Sequence, residues 1–270
     1  MKKLNSLNTR YKPIQPTIKP SNNSVCYQEV KPEPTLRNVA YCYWQLKTNR
    51  SLEEQFIYRV VADGCIDIFF EVSKASESFV MGFCKKYTEF PLENSFNYIG
   101  IRFYPTMFPQ LFHINAKELS NDVFELNLVV PALANYIKNR IHADMSLSQI
   151  AVLLNMYLIK VTSDTKFHLD DRLYRSLSLI LEKQGVLKTE KELDTGISPR
   201  QLRRIFDYYI GTSPKTFSKV IQFQNILCAK PSAQSLRRNK IFYDMGYSDQ
   251  AHFIRDFKNF YGVTPNKAFK

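Results

Sequence analysis

One pattern that occurs twice at a constant separation constrains this chain most. In residues 246–265, GYSDQAHFIRDFKNFYGVTP, the side chains of Phe253, Phe257 and Phe260 recur at i, i+4 and i+7 and so share one helix face. Ser248 or Asp249 can cap the helix start by accepting from orphan backbone N–H groups. Gly262 suits a left-handed stop, and Thr264 with Pro265 opens a further helical turn. Fifty-one residues earlier, Leu202, Arg204, Phe206, Tyr209, Gly211, Ser213 and Pro214 answer to Phe253, Arg255, Phe257, Phe260, Gly262, Thr264 and Pro265. Seven matches at one offset imply two copies of a small helical unit.

The surroundings of the repeat are helical as well. From residue 169 the pattern predicts helices over 170–183, around 189–195, over 199–210, 214–229, 237–244 and 249–261, and a last turn after Pro265. The turns Gly196-Ile197-Ser198 and Gly246-Tyr247-Ser248 each join a short helix to a capped one, which is the helix-turn-helix arrangement. Helix 214–229 would bury Phe217, Val220 or Ile221, and Leu227, and hold the two units at a fixed separation. The charge coincides with the repeat. Residues 171–270 carry 18 Lys and Arg against 9 Asp and Glu, whereas residues 37–170 carry 13 against 14. A basic surface kept for solubility is the plain alternative, but a field concentrated on a duplicated helical unit points to a polyanion partner.

The first 36 residues are polar, contain five prolines and read as a flexible arm, with extended structure near 25–30. Residues 37–112 have a period near two. Tyr41, Tyr43 and Gln45 point one way, and Cys42, Trp44 and Leu46 the other. Residues 58–62 and 65–72 around Asp63-Gly64 read as a hairpin, and 79–83 and 98–104 as further strands. Short aromatic strands between turns predict antiparallel sheets curled into a small barrel or half-barrel, with Phe, Tyr and Cys lining its inside. Asp67 and Glu71 alternate with Ile66, Ile68 and Phe70 and read as the wet face of a sheet. Helix 131–141, with Leu133, Tyr136 and Ile137, precedes a second one capped by Ser146 that carries Ile150, Leu153, Leu154, Tyr157, Leu158 and Val161. This pair covers the sheet or meets a second subunit. The expected organisation is an arm (1–36), a sensor or dimerisation domain (37–165) and a DNA-binding domain (169–270) joined by a hinge. The expected class is α+β, with an N-terminal, mainly antiparallel barrel-like domain bearing helices and a C-terminal all-α domain.

Five scattered cysteines without a C-x-x-C pair fit reduced thiols, and neither they nor the four histidines have metal-ligand spacing. No catalytic constellation, metal or cofactor is implied, so the chain does not read as an enzyme. No segment is long and apolar enough for a membrane span, and no signal peptide is apparent, so a cytoplasmic location is expected.

A helix fits the major groove of DNA and sets three or four side chains against base edges. On 199–210 the face opposite Leu202, Phe206 and Tyr209 offers Arg200, Arg203 and Arg204. Arginine donates bidentate bonds to guanine or binds phosphate. On the second helix the candidates are Gln250, Ala251, His252 and Arg255; glutamine suits adenine and alanine a thymine methyl. Two such units would reach successive major-groove segments about 34 Å apart.

The two segments just described, GISPRQLRRIFDYYIGTSPKTF and GYSDQAHFIRDFKNFYGVTP, resemble the AraC/XylS family of bacterial transcription regulators over about 100 residues. The resemblance implies seven helices, a long helix between two helix-turn-helix units, and recognition by the two residue sets above. Gln222 stands in the linker helix where relatives usually carry arginine, and Phe242 where alanine is common. The segments VADGCIDIFF and GFCKKY resemble a less characterised group of N-terminal domains found on such regulators; in the wider family this half is often a cupin-like barrel that senses a small molecule or dimerises. The cupin metal-binding histidine pattern is absent. The implied partners are double-stranded DNA, RNA polymerase, a small-molecule effector and a second copy of the chain, with no membrane. Activation is favoured by family analogy alone. The competing readings are a non-specific architectural DNA-binding protein and a DNA-repair enzyme with a helix-turn-helix module.

Overall fold

The computed structural model describes residues 10–16, 24–229 and 241–269. Among these, eight strands form two sheets. Strands β1 (Val25–Val30), β2 (Ala40–Thr48), β4 (Ile66–Glu71), β5 (Ser78–Met81), β7 (Asn97–Phe103) and β8 (Val123–Glu125) make a six-stranded sheet in the order β1-β2-β7-β4-β5-β8. Strands β3 (Phe56–Val60) and β6 (Thr88–Leu92) pair as a separate ribbon. Every pairing is antiparallel.

The alternation read from the sequence fixes the faces. Tyr43, Ile101, Ile68 and Val80 stand in cross-strand register on one face and are fully buried. They share a core with Leu133 and Ile137 of α3 (Pro131–Arg140) and with Ile150, Leu154 and Leu158 of α4 (Leu147–Asp164). The short helices α1 (Met107–Phe112) and α2 (Leu126–Val129) add Met107, Phe108 and Leu126. Helix α4 starts in a capping box in which Ser146 and Gln149 satisfy each other's backbone N–H groups. The Tyr43 hydroxyl donates to Asn155 Oδ1 at 2.8 Å, tying the sheet to this helix. The helix pair therefore covers the sheet. On the opposite face Cys42, Trp44 and Leu46 pack with Tyr58 and Leu92 of the ribbon.

The sheet is not a barrel, cupin-like or otherwise. Strands β1 and β8 are the two edges of the six-stranded sheet and do not pair, and the ribbon is bonded to neither. Three features keep it open. Helices occupy one face. Pro91 sits within β6 and lacks the N–H that a central strand would supply. The chain beyond β3 has its backbone groups taken elsewhere: Gln15 bonds both the N–H and the C=O of Val61, the Ala62 N–H reaches Phe260 O, and Gln224 Nε2 donates to Ala62 O at 2.8 Å. The same contacts overturn the hairpin expected around Asp63-Gly64. Strand β3 pairs with β6, and β4 with β5 and β7, so Asp63-Gly64 is a corner between two layers.

The C-terminal region is all-α. It comprises α5 (Asp171–Glu182), α6 (Thr189–Glu192), α7 (Pro199–Ile210), α8 (Pro214–Ala229), α9 (Ile241–Asp244), α10 (Gln250–Tyr261) and α11 (Pro265–Ala268). The expected start of a helix at 237 lies outside the described residues. Helix α8 carries both units. Phe217 meets Phe206 of α7 with ring centroids 6.2 Å apart, and Phe223 meets Phe257 and Phe260 of α10 at 5.5 and 5.2 Å. Six residues on one helix rise about 9 Å, so a short stretch of α8 anchors two apolar cores.

The two halves touch at both units. Ser120 Oγ donates to Gly211 O at 2.5 Å, and Lys117 pairs with Asp207 of α7 at 3.1 Å. At the other unit the Tyr87 N–H donates to Asn259 O at 3.2 Å. Residues 10–16 lie against α8, where the Ile14 N–H donates to Gln224 Oε1 at 2.7 Å.

Candidate nucleic-acid interface

Helices α7 and α10 are built alike, as their sequences require. The first begins in a capping box of Ser198 and Gln201 with Pro199 at its first position. In the second, Asp249 accepts from the His252 N–H at 2.7 Å, and Ser248 supports it by donating to the Asp249 carboxylate. The helices end on Gly211 and Gly262 at φ of 89° and 93°, a left-handed conformation that costs a side-chain-bearing residue strain. Leu202 and Phe206 are buried on the first, and Phe253, Phe257 and Phe260 on the second. Tyr209, the counterpart of Phe260, is only half-buried and leans on Tyr208 at 4.9 Å.

The turns differ in their supports. Gln222 of α8 donates to Met245 O, pinning the linker helix to the second turn. Phe242 is buried and stacks on Phe253 with ring centroids 6.4 Å apart and planes 20° apart, so the large side chain at this position extends the second unit's core.

Arg200, Arg203 and Arg204 on α7 and Gln250, Ala251 and Arg255 on α10 are exposed, and among the described residues none of the four arginines has an ion-pair partner. His252 departs from the set. It is half-buried, with Nε2 3.4 Å from Asp256, Nδ1 3.3 Å from Ser248 Oγ, and its ring edge-on to Tyr247. Asp256 also takes Lys219 of α8 at 2.9 Å. His252 is therefore part of the joint between α10 and its supports.

The structure adds two residues to the first set. Arg204 lines an open groove with Lys117 of the N-terminal half and Arg172 of α5, beside Asp207 and Tyr208. Arg172 is held by Asp170, whose carboxyl its hydrogen bonds push below the ordinary range. Nothing in the order of the chain connects Lys117 to Arg204; only the docking of the 3-10 turn Ala116–Leu119 on α7 does.

Among the described residues no group of three His, Cys, Asp or Glu is placed to hold a metal ion. Nor is any helix among them long and apolar enough to cross a membrane.

Residues 194–270 match the family described as a helix-turn-helix domain. The C-terminal region is a helix-turn-helix domain. Residues 28–125 match a family described as a domain of unknown function, DUF6597. A Haemophilus influenzae protein described as an uncharacterized HTH-type transcriptional regulator is 35% identical over 102 residues, which are 36% of this chain and 33% of the relative. The chain thus spans about a third of the length of that relative. Solved structures of ToxT from Vibrio cholerae align over most of both chains. One, bound to (E)-4-(8-methylnaphthalen-1-yl)but-3-enoic acid, has a TM-score of 0.43 at 12% identity and covers 91% of this chain and 98% of its own. Another, bound to an unsaturated fatty acid, has a TM-score of 0.38 at 13% identity and covers 93% and 97%. Likeness at that level carries no argument about ligands. The helix-turn-helix domain itself rests on its capped, glycine-stopped helix pair.

Proposed function

We propose that the protein binds double-stranded DNA sequence-specifically and regulates transcription in the manner of AraC/XylS regulators. One observation carries this reading. Two helices, each capped by a side chain at its start, buried along one apolar face and ended by a left-handed glycine, are mounted on one connecting helix, and each leaves polar side chains exposed. In this reading Arg200, Arg203 and Arg204 meet one major-groove segment, and Gln250, Ala251 and Arg255 the next. His252 orients the second helix and contacts the backbone or a base from a fixed position. Lys117 and Arg172 extend the first contact toward phosphates, so the N-terminal half takes part in DNA binding. Residues 37–165 serve as the sensor or dimerisation domain. The dimer is supported by Val152, Met156 and Ile159 of α4, which are exposed at i, i+4 and i+7.

Selection of bound duplexes from a random pool tests the reading. The expected result is one enriched motif with two conserved blocks. Recovery of unselected sequence would instead support an architectural protein.

A further inference from the structure

Between the two helix-turn-helix units lies an open pocket of about 370 Å³ that base reading by α7 and α10 does not use. Its charged walls come from three places: Lys188 and Glu192 from the lead-in of the first unit, Lys215 and Lys219 from the connecting helix α8, and His252 and Asp256 from α10. The floor is close-packed. Gly246 of the second turn meets the side chain of Val186 so tightly that a Cβ there would come within 2.4 Å of it, and Gly185 lies as closely on the backbone of α8. The two units and the helix between them are thus packed into one another at this point, not merely tethered.

The charge around the pocket does not balance. Glu192 takes Lys183 and the Lys188 N–H, and Asp256 takes Lys219 at 2.9 Å with His252 Nε2 at 3.4 Å. Both carboxylates are therefore engaged. Lys188 and Lys215 are exposed, and among the described residues neither has an ion-pair partner. Two solvated lysines by themselves indicate nothing; their place in the molecule supplies the partner. His252 and Arg255 stand at i and i+3 and are neighbours on the surface of α10, so the pocket adjoins the side chains assigned to the second major-groove segment. On the other flank Lys188 begins α6, the first helix of its unit. In such units the first helix crosses the DNA backbone while the second enters the groove. With α7 and α10 in successive major-groove segments, the duplex between them turns its minor groove to the protein. The two strands that bound this minor groove are also the inner edges of the two segments, and their phosphates pass the region between the units.

We infer that this pocket seats a backbone phosphate of the DNA between the two recognition helices, held by Lys188 and Lys215. The connecting helix α8 is then part of the DNA interface as well as a spacer. The inference rests on the DNA-binding reading above and adds the contact that fixes the two units on one duplex.

The test uses the full chain and the duplex motif recovered by selection, with one backbone phosphate at a time replaced by an uncharged methylphosphonate. In the wild-type protein, one or two replacements between the motif blocks are expected to weaken binding roughly fivefold, the scale of an exposed charge pair. The variant Lys188→Ala/Lys215→Ala is expected to be indifferent to those same replacements and to select the same motif. Its slope of log affinity against log salt should be shallower by about 1, because one phosphate is no longer neutralised. Both side chains are exposed, so the variant should melt as the wild type does. Replacements between the blocks that leave wild-type binding unchanged, or that weaken the variant as much as the wild type, would overturn the inference while the regulator reading stands. Loss of sequence preference by the wild-type chain would overturn both. Inorganic phosphate titrated into the chain without DNA should give no saturable heat; saturable binding there would make the pocket a site for a free anion and overturn the assignment to the DNA strand.

Discussion

Arg102→Met is expected to destabilise the protein by about 3–5 kcal/mol at pH 8, read as a lower urea midpoint. The guanidinium is buried against Asp67 and Asp63, directly across the β4–β7 pairing. Removing it leaves two carboxylates in the interior with no counter-charge. The deficit should depend on pH with a definite sign. Burial and the Asp63 charge hold the folded Asp67 carboxyl at about 6, above its ordinary 3.8, although Arg102 pulls it down. A carboxyl that binds its proton more tightly when folded contributes stability that is complete below its ordinary value. That contribution is lost as the pH rises through the folded one. Without Arg102 the folded value rises further, so the variant regains stability on acidification by protonating the buried group. The gap between the two proteins should therefore be narrower at pH 5 than at pH 8. A gap that stayed constant or widened would show that the Arg102–Asp67 pair does not carry the effect.

Arg204→Ala and Arg255→Ala are expected to cost about 1–3 kcal/mol of discrimination at the base pairs they face, with the preference relaxed there and retained elsewhere. Stability should change little, because both side chains are exposed and form no ion pair among the described residues. Lys117→Ala supplies the contrast. It should weaken all duplexes alike and reduce the slope of log affinity against log salt by about 1. If Arg204→Ala also weakened every sequence equally, its contact would be with phosphate rather than with a base.

The two halves differed in how much their sequences disclosed. The helical units were legible because everything that defines each one lies within a short stretch. Cap, apolar stripe and glycine stop are all local, and the copy from Leu202 to Pro214 checks the copy from Phe253 to Pro265. The faces of β2 were legible for the same reason, since alternation is local. Sheet topology was not. Strand β3 finds its partner about thirty residues away in β6, and the Asp-Gly turn that suggests a hairpin is used as a corner. The decisive contacts there come from Gln15, Gln224 and Phe260, which no local pattern connects to Val61 and Ala62. Asp67 was misread as solvated because its partner, Arg102, faces it only through the register of β4 and β7. At the candidate interface the exposed arginines were legible by periodicity. The half-buried state of His252 and the approach of Lys117 to Arg204 were not, because each depends on how separate elements dock.

The central claim is that α7 and α10 enter successive major-groove segments on one side of a duplex. Hydroxyl-radical footprinting on the motif recovered by selection tests it most directly. The account predicts two protected blocks, centred about ten base pairs apart on the same face, each shrinking when the arginine of its own helix is replaced. A single block, or protection spread evenly along the duplex, would contradict it.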